Sequence, residues 1–283
     1  MLRGFFIVMT VAAGLAAAQP PAPTYIPQTK FSRGQDVVPS FDGWIRNPNG
    51  TFTLVFGYMN RNYEEEPAIP AGPDNKIEPG PTDQGQATYF LPRRHAWVFR
   101  VTVPADFGNK EIVWSITANG RTEKAYGHLI QDEEILERLI QTRGNLSPGL
   151  DDPNQSPSIA IARFTEASAG APVSLTAMVT DDGLPKPRAP KERPAGAPDA
   201  SKGKAQSNNS AGRPRAGLTV TWFEYRGPAK VAFDNDGPIP VDNGQAVTKA
   251  TFPQPGTYVL RATANDGELS TPADVTIQVG PRR

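Results

Sequence analysis

Apolar and polar residues alternate along much of the first half of the chain. One face of an extended strand in residues 51–60 collects Phe52, Leu54, Phe56 and Tyr58. The same period of two recurs in residues 95–103, where Trp97 and Phe99 share a face, and again in residues 111–117. The pattern predicts three half-buried β-strands.

A turn signal adds a fourth strand. Asn119-Gly120 is typical of a type I′ hairpin, because that turn needs positive φ at both central residues and this pair tolerates it. Residues 121–129 are then the returning strand. Four or more antiparallel strands separated by Gly and Pro turns predict a β-sandwich domain over residues 31–130.

Residues 64–91 interrupt this pattern with a long segment that has no regular period. An unstructured loop of this length is uncommon inside a compact domain and is usually functional or disordered. Ile69, Ile77, Tyr89 and Phe90 lie within it and favour an ordered loop pinned to the sandwich.

One helical pattern follows, in residues 130–144. Ile135, Leu136, Leu139 and Ile140 recur at helical spacing, Asp132 suits the start and Arg143-Gly144 suits the end. We expect one short amphipathic helix that packs on a domain and joins two domains; a helix that docks a partner is the alternative. The helix and the proline-rich linker after it occupy residues 131–157.

Strand patterns resume in the second half. They cover residues 159–164, 173–179, 218–225, 231–233, 247–252, 257–264 and 275–279. Seven short strands of this size predict an immunoglobulin-like sandwich over residues 158–280. The fold class is therefore all-β, with two Ig-like β-sandwich domains joined by the helix.

The second half also resembles a known family. Thr221-Trp222, the run GTYVLR at 256–261 and the run NDGE at 265–268 are similar to the PKD family of extracellular Ig-like modules. The resemblance covers roughly the last 120 residues. It implies the sandwich fold but no single function, since such modules serve as spacers, adhesion units and substrate-binding accessories.

The first half resembles a group of uncharacterised exported bacterial proteins in the runs FGYMNRNYEEE, IPAGPDN and DQGQATYFLPRRHAWVFRV. This second resemblance implies no particular chemistry.

The start of the chain predicts export. Residues 1–18 combine Arg3, an apolar stretch and Ala16-Ala17-Ala18, as a cleaved signal peptide does, and residues 19–30 form a proline-rich lead-in. An uncleaved membrane anchor is the alternative, but the apolar run is shorter than the roughly 20 residues that a bilayer span needs. No later segment is apolar enough to span a membrane. With no cysteine in the chain, we expect a periplasmic or extracellular protein without disulfides.

A basic segment, residues 185–216, interrupts the PKD-like pattern. It has no aromatic residue and no aliphatic residue larger than Ala, so we expect a disordered insertion. The segment contains eight Lys or Arg but only two Asp or Glu, although the whole chain is neutral. The segment is either a tolerated surface insertion or an electrostatic tether to an anionic surface or partner.

Two acidic loops of the second domain are candidate metal ligands. In an Ig-like sandwich, the loop after the second strand and the loop between the last two strands emerge at one pole. These loops carry Asp181, Asp182, Asp266 and Glu268, whose oxygens suit Ca²⁺. The alternative is that Asp-Gly and Asn-Asp-Gly are turn chemistry alone.

Catalytic signals are lacking. The sequence has two His and no HExxH or GxSxG motif, and its neutral charge argues against a nucleic-acid binder. No catalytic residue is therefore predicted. The alternative is a hydrolase of cell-wall or environmental polysaccharide that uses carboxylates of the first domain. The acidic runs at residues 64–66 and 132–134 are the sequence's candidate acid and base pairs.

Carbohydrate binding is the stronger expectation for the first domain. Sandwich domains bind sugars through exposed aromatic rings beside amide and guanidinium donors. The candidates are Trp44, Arg61, Tyr63, Tyr89 and Arg93. The sequence thus predicts an exported, non-enzymatic binding, adhesion or structural module, with a polysaccharide or envelope polymer as its partner and no cofactor beyond structural Ca²⁺.

Overall fold

The structure, a computed structural model, describes residues 30–145, 149–162, 166–186 and 217–282. The predicted signal peptide 1–18 and almost all of the lead-in 19–30 lie outside these ranges. So does the insertion 185–216 apart from its first two residues, and the expectation that it is disordered therefore stays a prediction.

The described residues form 15 strands and one α-helix. In chain order they are β1 (Val37–Arg46), β2 (Phe52–Asn60), β3 (Asn75–Glu78), β4 (Arg93–Val103), β5 (Ile112–Ala118), β6 (Arg121–Gly127), α1 (Glu137–Gln141), β7 (Ser158–Ile161), β8 (Glu166–Ser168), β9 (Pro172–Thr180), β10 (Thr219–Arg226), β11 (Ala232–Phe233), β12 (Ile239–Pro240), β13 (Gln245–Thr251), β14 (Gly256–Asn265) and β15 (Ser270–Gly280). The all-β prediction is confirmed.

The first sandwich consists of two three-stranded sheets, with strand orders β1-β2-β4 and β3-β5-β6. Leu54, Phe56, Ile77 and Trp114 are fully buried between them and centre a core rich in aromatic rings. The strands predicted from alternation are present as β2, β4 and β5, and the returning strand predicted from the turn is present as β6. Strand β1 was not predicted because a register shift between Phe41 and Gly43 breaks its alternation.

The predicted hairpin is also present. Asn119 and Gly120 have φ values of 49° and 75°, and Ala118 pairs with Arg121 across the two-residue turn. Both central residues lie in the left-handed region, which is the type I′ requirement.

The predicted face of Trp97 is wrong. The pairing between β2 and β4 shifts after the pair Phe56–Phe99, and the next pair is Tyr58–His95. Residues 96–98 of β4 therefore have no regular partner on β2. Trp97 has a φ of 55° and is only partly buried, whereas Phe99 is buried in the core. The irregularity turns Trp97 away from the face that Phe99 occupies.

Residues 64–91 are an ordered loop held by buried side-chain amides. The Asn75 Nδ2 group donates to the carbonyls of Ile69 and Ala87, and the Asn75 Oδ1 atom accepts a hydrogen bond from Trp114 Nε1 at 2.9 Å. The Asn60 Nδ2 group donates to the Phe90 carbonyl at 3.0 Å. These bonds satisfy loop backbone groups that would otherwise be buried without partners.

The second sandwich has sheets of order β12-β10-β14-β15-β8 and β11-β13-β9-β7. Strands β7, β9, β13 and β11 correspond in order to strands A, B, E and D of an immunoglobulin domain, and β10, β14 and β15 to strands C, F and G. The first strand continues as β8, which crosses to the other sheet and pairs in parallel with β15. The Ig-like prediction is confirmed for this half. Its core centres on Leu175, Trp222, Tyr258 and Leu260.

The predicted helix is much shorter than its sequence pattern. Residues Gln131–Glu133 form one 3-10 turn, and α1 covers five residues after an N-cap at Leu136. Ile135 is held outside the helix because its N–H donates to the Trp44 carbonyl of β1 at 2.8 Å. Asp132 therefore does not cap the helix. The Arg143 Nε atom donates to Ser270 Oγ at 3.0 Å, so the end of this segment contacts β15.

From Phe31 onward the chain is one compact unit with two hydrophobic cores. Strand β10 belongs to a sheet of the second sandwich, yet the ring of Tyr225 is buried in the core of the first. The exact boundaries of two separate domains stay a prediction.

Candidate functional site

Two of the five predicted sugar-binding residues are buried, which corrects their assignment to the surface. Trp44 is 3% exposed, and its Nε1 atom donates to the Ile130 carbonyl at 2.7 Å. Tyr89 is also 3% exposed, and its hydroxyl donates to Glu66 Oε2 at 2.7 Å. Both rings are covered by segments distant along the chain.

The other three predicted residues come together on the first sandwich. Tyr63 is 38% exposed, and the guanidinium carbon of Arg93 lies 4.1 Å from the centre of its ring. The Arg93 Nη1 atom donates to the Arg61 carbonyl at 3.1 Å. We call Arg61, Tyr63 and Arg93, with the neighbouring Phe31, the aromatic–arginine surface.

The backbone below this surface is fixed by buried groups. Asn62 is fully buried between Arg61 and Tyr63, and its side chain donates to Asn60 Oδ1 and to the Gln35 carbonyl. The Tyr63 N–H donates to the Phe31 carbonyl at 3.0 Å, which places the two exposed rings on adjacent segments. Asn62 thus holds the surface in shape from below.

The aromatic–arginine surface also contains an ion pair and a residue with an unusual backbone conformation. Arg61 Nη1 lies 3.3 Å from Oδ1 of Asp36, whose side chain is fully buried. Arg93 has a φ of 71°, in the left-handed region that a residue with a long side chain rarely adopts. Strained residues of this kind concentrate at binding sites. The surface offers an aromatic ring and guanidinium groups to a hydroxylated or anionic ligand.

The acidic loops of the second sandwich do meet the linker at one place. The Asn154 Nδ2 group donates to Asp266 Oδ2 at 3.2 Å and to Glu268 Oε2 at 3.5 Å. The Gln155 N–H donates to Asp182 Oδ2 at 3.0 Å. Partial burial raises the pKa of Asp181, and the nearby charge of Asp266 adds to that rise.

These acidic side chains also perform turn chemistry. Asp181 Oδ2 accepts from the Gly183 N–H, and Asp266 Oδ1 accepts from the N–H groups of Glu268 and Leu269. Within the described ranges, no group of three or more His, Cys, Asp or Glu side chains is arranged to hold a metal ion. The calcium site at Asp181, Asp182, Asp266 and Glu268 therefore stays a prediction without geometric support.

Four of the six carboxylates considered for hydrolysis have a side-chain contact in the structure. Glu65 Oε2 accepts from the Gly34 N–H, and Glu66 accepts from Tyr89 and pairs with Lys230. Glu133 lies 3.0 Å from His128 Nδ1, and Glu134 lies 3.3 Å from Arg46 Nε. Such contacts are those of structural groups, and the hydrolase alternative gains no support from them.

The joint between the sandwiches is the feature that sequence reasoning missed. We use this name for the contacts of residues 66 and 83–89 with β10 and the turn after it. The backbone N–H groups of Thr88 and Tyr89 point to the Tyr225 carbonyl at 3.3 and 3.4 Å. The Arg226 Nη2 atom donates to Asp83 Oδ2 at 2.6 Å.

A second contact reinforces the joint from β14. The Arg261 Nη1 atom donates to the Val98 carbonyl of β4 at 2.6 Å, and its guanidinium lies 4.1 Å from the ring centre of Tyr225. Asp274 holds the same guanidinium through two hydrogen bonds of 2.7 and 2.8 Å. The sequence indicated this joint only through the length of the loop 64–91, because the residues that contact one another here are far apart along the chain.

Comparison with known proteins finds similarity to solved structures only. No protein-family model matches the sequence, and no curated protein matches it. Among solved structures, the chain is similar to a titin M10 and obscurin-like 1 Ig complex with 14% identity, covering 46% of this chain and 98% of that chain at a TM-score of 0.26.

Two further solved structures are similar at the same level. The PKD domain from human KIAA0319 is 16% identical, covers 48% of this chain and 94% of its own, and gives a TM-score of 0.23. The D0-D1 domain of Intimin is 12% identical, covers 86% of this chain and 100% of its own, and gives 0.25. Scores this low carry no functional argument, so the Ig-like assignment rests on the strand order described above.

No helix in the described part of the chain is long and apolar enough to cross a lipid bilayer.

Proposed function

We propose that this protein is a non-enzymatic adhesion or structural module that acts outside the cytoplasm. The observation that carries the proposal is the joint, in which Tyr225 of the second sandwich completes the core of the first. Domains that share core residues keep a fixed relative placement, whereas domains linked by a small polar interface move independently. A fixed pair of sandwiches suits a spacer or an adhesion unit.

The aromatic–arginine surface is the proposed binding region, and a hydroxylated envelope polymer or polysaccharide is its proposed partner. A sugar ring packs its apolar face on an aromatic side chain, while guanidinium groups donate hydrogen bonds to hydroxyl or acidic groups. Tyr63, Arg93 and Arg61 supply both kinds of contact within one surface. Asn62 supports it without facing solvent.

The test is retention of purified residues 19–283 on insoluble polysaccharides and envelope fractions. Tyr63→Ala is compared with Tyr126→Ala, since Tyr126 is a similarly exposed tyrosine on β6. We expect Tyr63→Ala to lower retention on one polymer by tenfold or more, as the loss of a central aromatic contact does. Tyr126→Ala should bind as the natural protein does. Equal retention of all three proteins would refute the binding surface.

The basic segment 185–216 is proposed as an additional electrostatic tether to an anionic polymer or lipid surface. Attraction of this kind is screened by salt. Deleting residues 185–216 should therefore lower retention at low ionic strength and have no effect at high ionic strength. Equal retention of the deleted and complete proteins at low salt would exclude the tether and leave the Tyr63 surface as a separate question.

A further inference from the structure

Glu224 is an acidic residue inside the core of the second sandwich. It follows Val220 and Trp222 on the inward face of β10 and is 3% exposed. Its Oε2 atom accepts a hydrogen bond from the Val231 N–H at 2.8 Å. Within the ranges that the structure describes, its Oε1 atom is buried and has no hydrogen-bond partner.

The carboxyl group lies directly beneath the turn that follows β10. At Gly227 a Cβ atom would contact Glu224 Oε1 and would lie 2.6 Å from the ring of Tyr258, so the turn packs closely on both side chains. Val231, whose N–H binds Glu224, ends this turn. The position of the turn is thus set from the inside by Glu224.

The same turn is held from the outside by the first sandwich. The Gly227 N–H donates to Thr88 Oγ1 at 3.2 Å, and the Lys230 ammonium donates to Glu66 Oε1 at 2.7 Å. The turn 227–231 is therefore part of the joint, with Glu224 on one side of it and Thr88 and Glu66 on the other.

The buried environment of Glu224 favours its neutral form. Burial raises the pKa of Glu224 to about 8, and the negative charge of Glu66 adds to the rise, while the Val231 N–H and Lys230 oppose it. The other titratable groups around it are Tyr89 from the first sandwich and Tyr258 from β14. The pKa of each tyrosine is raised above its ordinary value of 10, mainly by burial, so both remain neutral where Glu224 titrates.

We propose that Glu224 makes the joint between the two sandwiches sensitive to pH. Neutral Glu224 keeps the turn 227–231 against Thr88 and Glu66. Ionised Glu224 has a single backbone N–H to satisfy two buried charged oxygens, and it repels Glu66 across the turn. The charged form needs water or further donors, and it obtains them when the turn moves and the joint loosens.

The direction of the effect follows from proton linkage. The folded state keeps its proton on Glu224 up to a higher pH than the unfolded chain does, so the stabilising effect is complete below pH 4.5 and is lost as the pH rises through 8. Between pH 6.5 and 9 the folding equilibrium constant should fall about 30-fold from this group alone. The inference does not depend on what the protein binds.

The chain has no cysteine, which allows two labels to be placed without background. Lys124→Cys in β6 and Lys249→Cys in β13, both at exposed positions, would carry a donor and an acceptor dye. Energy transfer is measured from pH 6.5 to 9.5, with circular dichroism to confirm that the protein stays folded. We expect a change in transfer centred near pH 8.

Glu224→Gln is the decisive variant, because the amide keeps the size and the acceptor for Val231 but carries no charge. It should show constant transfer over the whole range, and the exposed Glu111→Gln should titrate like the natural protein. Constant transfer in the natural protein, or an unchanged transition in Glu224→Gln, would overturn the proposal. A pH-dependent loss of stability without a change in transfer would also overturn it, since the joint would then be unaffected.

A second variant covers the case in which Glu224→Gln does not fold. Glu66→Gln removes the like charge across the turn, and the transition in transfer should then move to lower pH. An unchanged midpoint in Glu66→Gln would show that the first sandwich does not sense Glu224.

A ¹³C NMR titration of the Glu224 carboxyl in the natural protein must give the same midpoint as the transfer, and a midpoint near pH 4.5 would overturn the proposal.

Discussion

The hydroxyl of Tyr225 donates a hydrogen bond to the Gly85 carbonyl at 2.7 Å, between residues 140 positions apart in the chain. Tyr225 is the extra residue of a register shift in β10, between Glu224 and Arg226. Successive side chains of a strand point to opposite faces, so Glu224 is buried on the face of β10 toward the second core and Tyr225 on the face toward the first. Strand β10 therefore contributes to both cores.

Tyr225→Ala should destabilise both sandwiches together. The change removes a buried aromatic ring and leaves a cavity, at a cost of about 3–5 kcal/mol. Tyr225→Phe keeps the ring and loses one hydrogen bond, at a cost of about 1 kcal/mol. Urea denaturation followed by tryptophan fluorescence and by circular dichroism measures both values.

The control for this pair is Tyr126→Ala, which changes an exposed tyrosine and should alter stability by less than about 0.5 kcal/mol. The natural protein should unfold in one transition by both probes. If Tyr225→Ala lowered the stability of the second sandwich alone, the ring would not couple the cores.

Gly227→Ala should be harmful although the glycine has no positive φ. The added Cβ would meet Glu224 and Tyr258 within the packed turn, so the side chains beneath it must shift. Overpacking of this kind costs about 1–3 kcal/mol. Gly217→Ala is the control, because nothing lies within 4 Å of a Cβ at that position. Equal denaturation midpoints for the two variants would contradict the close packing of the turn.

Local chemistry made part of the fold predictable from the sequence. The Asn119-Gly120 turn was found because its backbone requirement resides in two adjacent residues. The length of the helix was not predictable in this way. The pattern over residues 130–144 is helical, but the Ile135 N–H donates to the Trp44 carbonyl, and the helix therefore begins only at Glu137. A contact between distant segments outweighed local propensity there.

The candidate site was also predictable only in part. Tyr63, Arg61 and Arg93 were predicted because they lie near the long loop, and Tyr63 also because polar residues flank it. Trp44 and Tyr89 were predicted on the same local grounds but are covered by Ile130 and by Glu66, which no local pattern reveals. Burial that depends on distant partners is not encoded in sequence neighbours.

Asn75→Ala should loosen the long loop of the first sandwich. Asn75 is fully buried, and its loss leaves Trp114 Nε1 and the carbonyls of Ile69 and Ala87 without their partner. Each unsatisfied buried group costs about 1–3 kcal/mol, so a total of about 3 kcal/mol or more is expected. Denaturation measures the loss, and amide hydrogen exchange should show faster exchange in residues 66–90.

Asn109→Ala, at an exposed turn, provides the matched comparison and should leave both readouts unchanged. Should Asn75→Ala prove as stable as Asn109→Ala, the loop would be held by its apolar residues rather than by the amide.

His95 should make the first sandwich sensitive to acid. Its ring stacks on Tyr58 at 5.0 Å between centres, and burial lowers the pKa of His95 below its ordinary 6.5 even though the Pro92 carbonyl lies 3.1 Å from Nε2. The unfolded chain therefore takes up this proton at higher pH than the folded protein does. Stability from this group is complete above pH 6.5 and is lost as the pH falls below it.

His95→Phe retains the stacking on Tyr58 but cannot be protonated. The free energy of unfolding, measured from pH 7.5 to 5, should fall more steeply in the natural protein than in the variant below pH 6.5. Because the Glu224 contribution changes in the opposite direction over this range and is common to both proteins, the difference between the two curves isolates His95. Parallel curves would mean that His95 is protonated as readily in the folded state as in the unfolded chain.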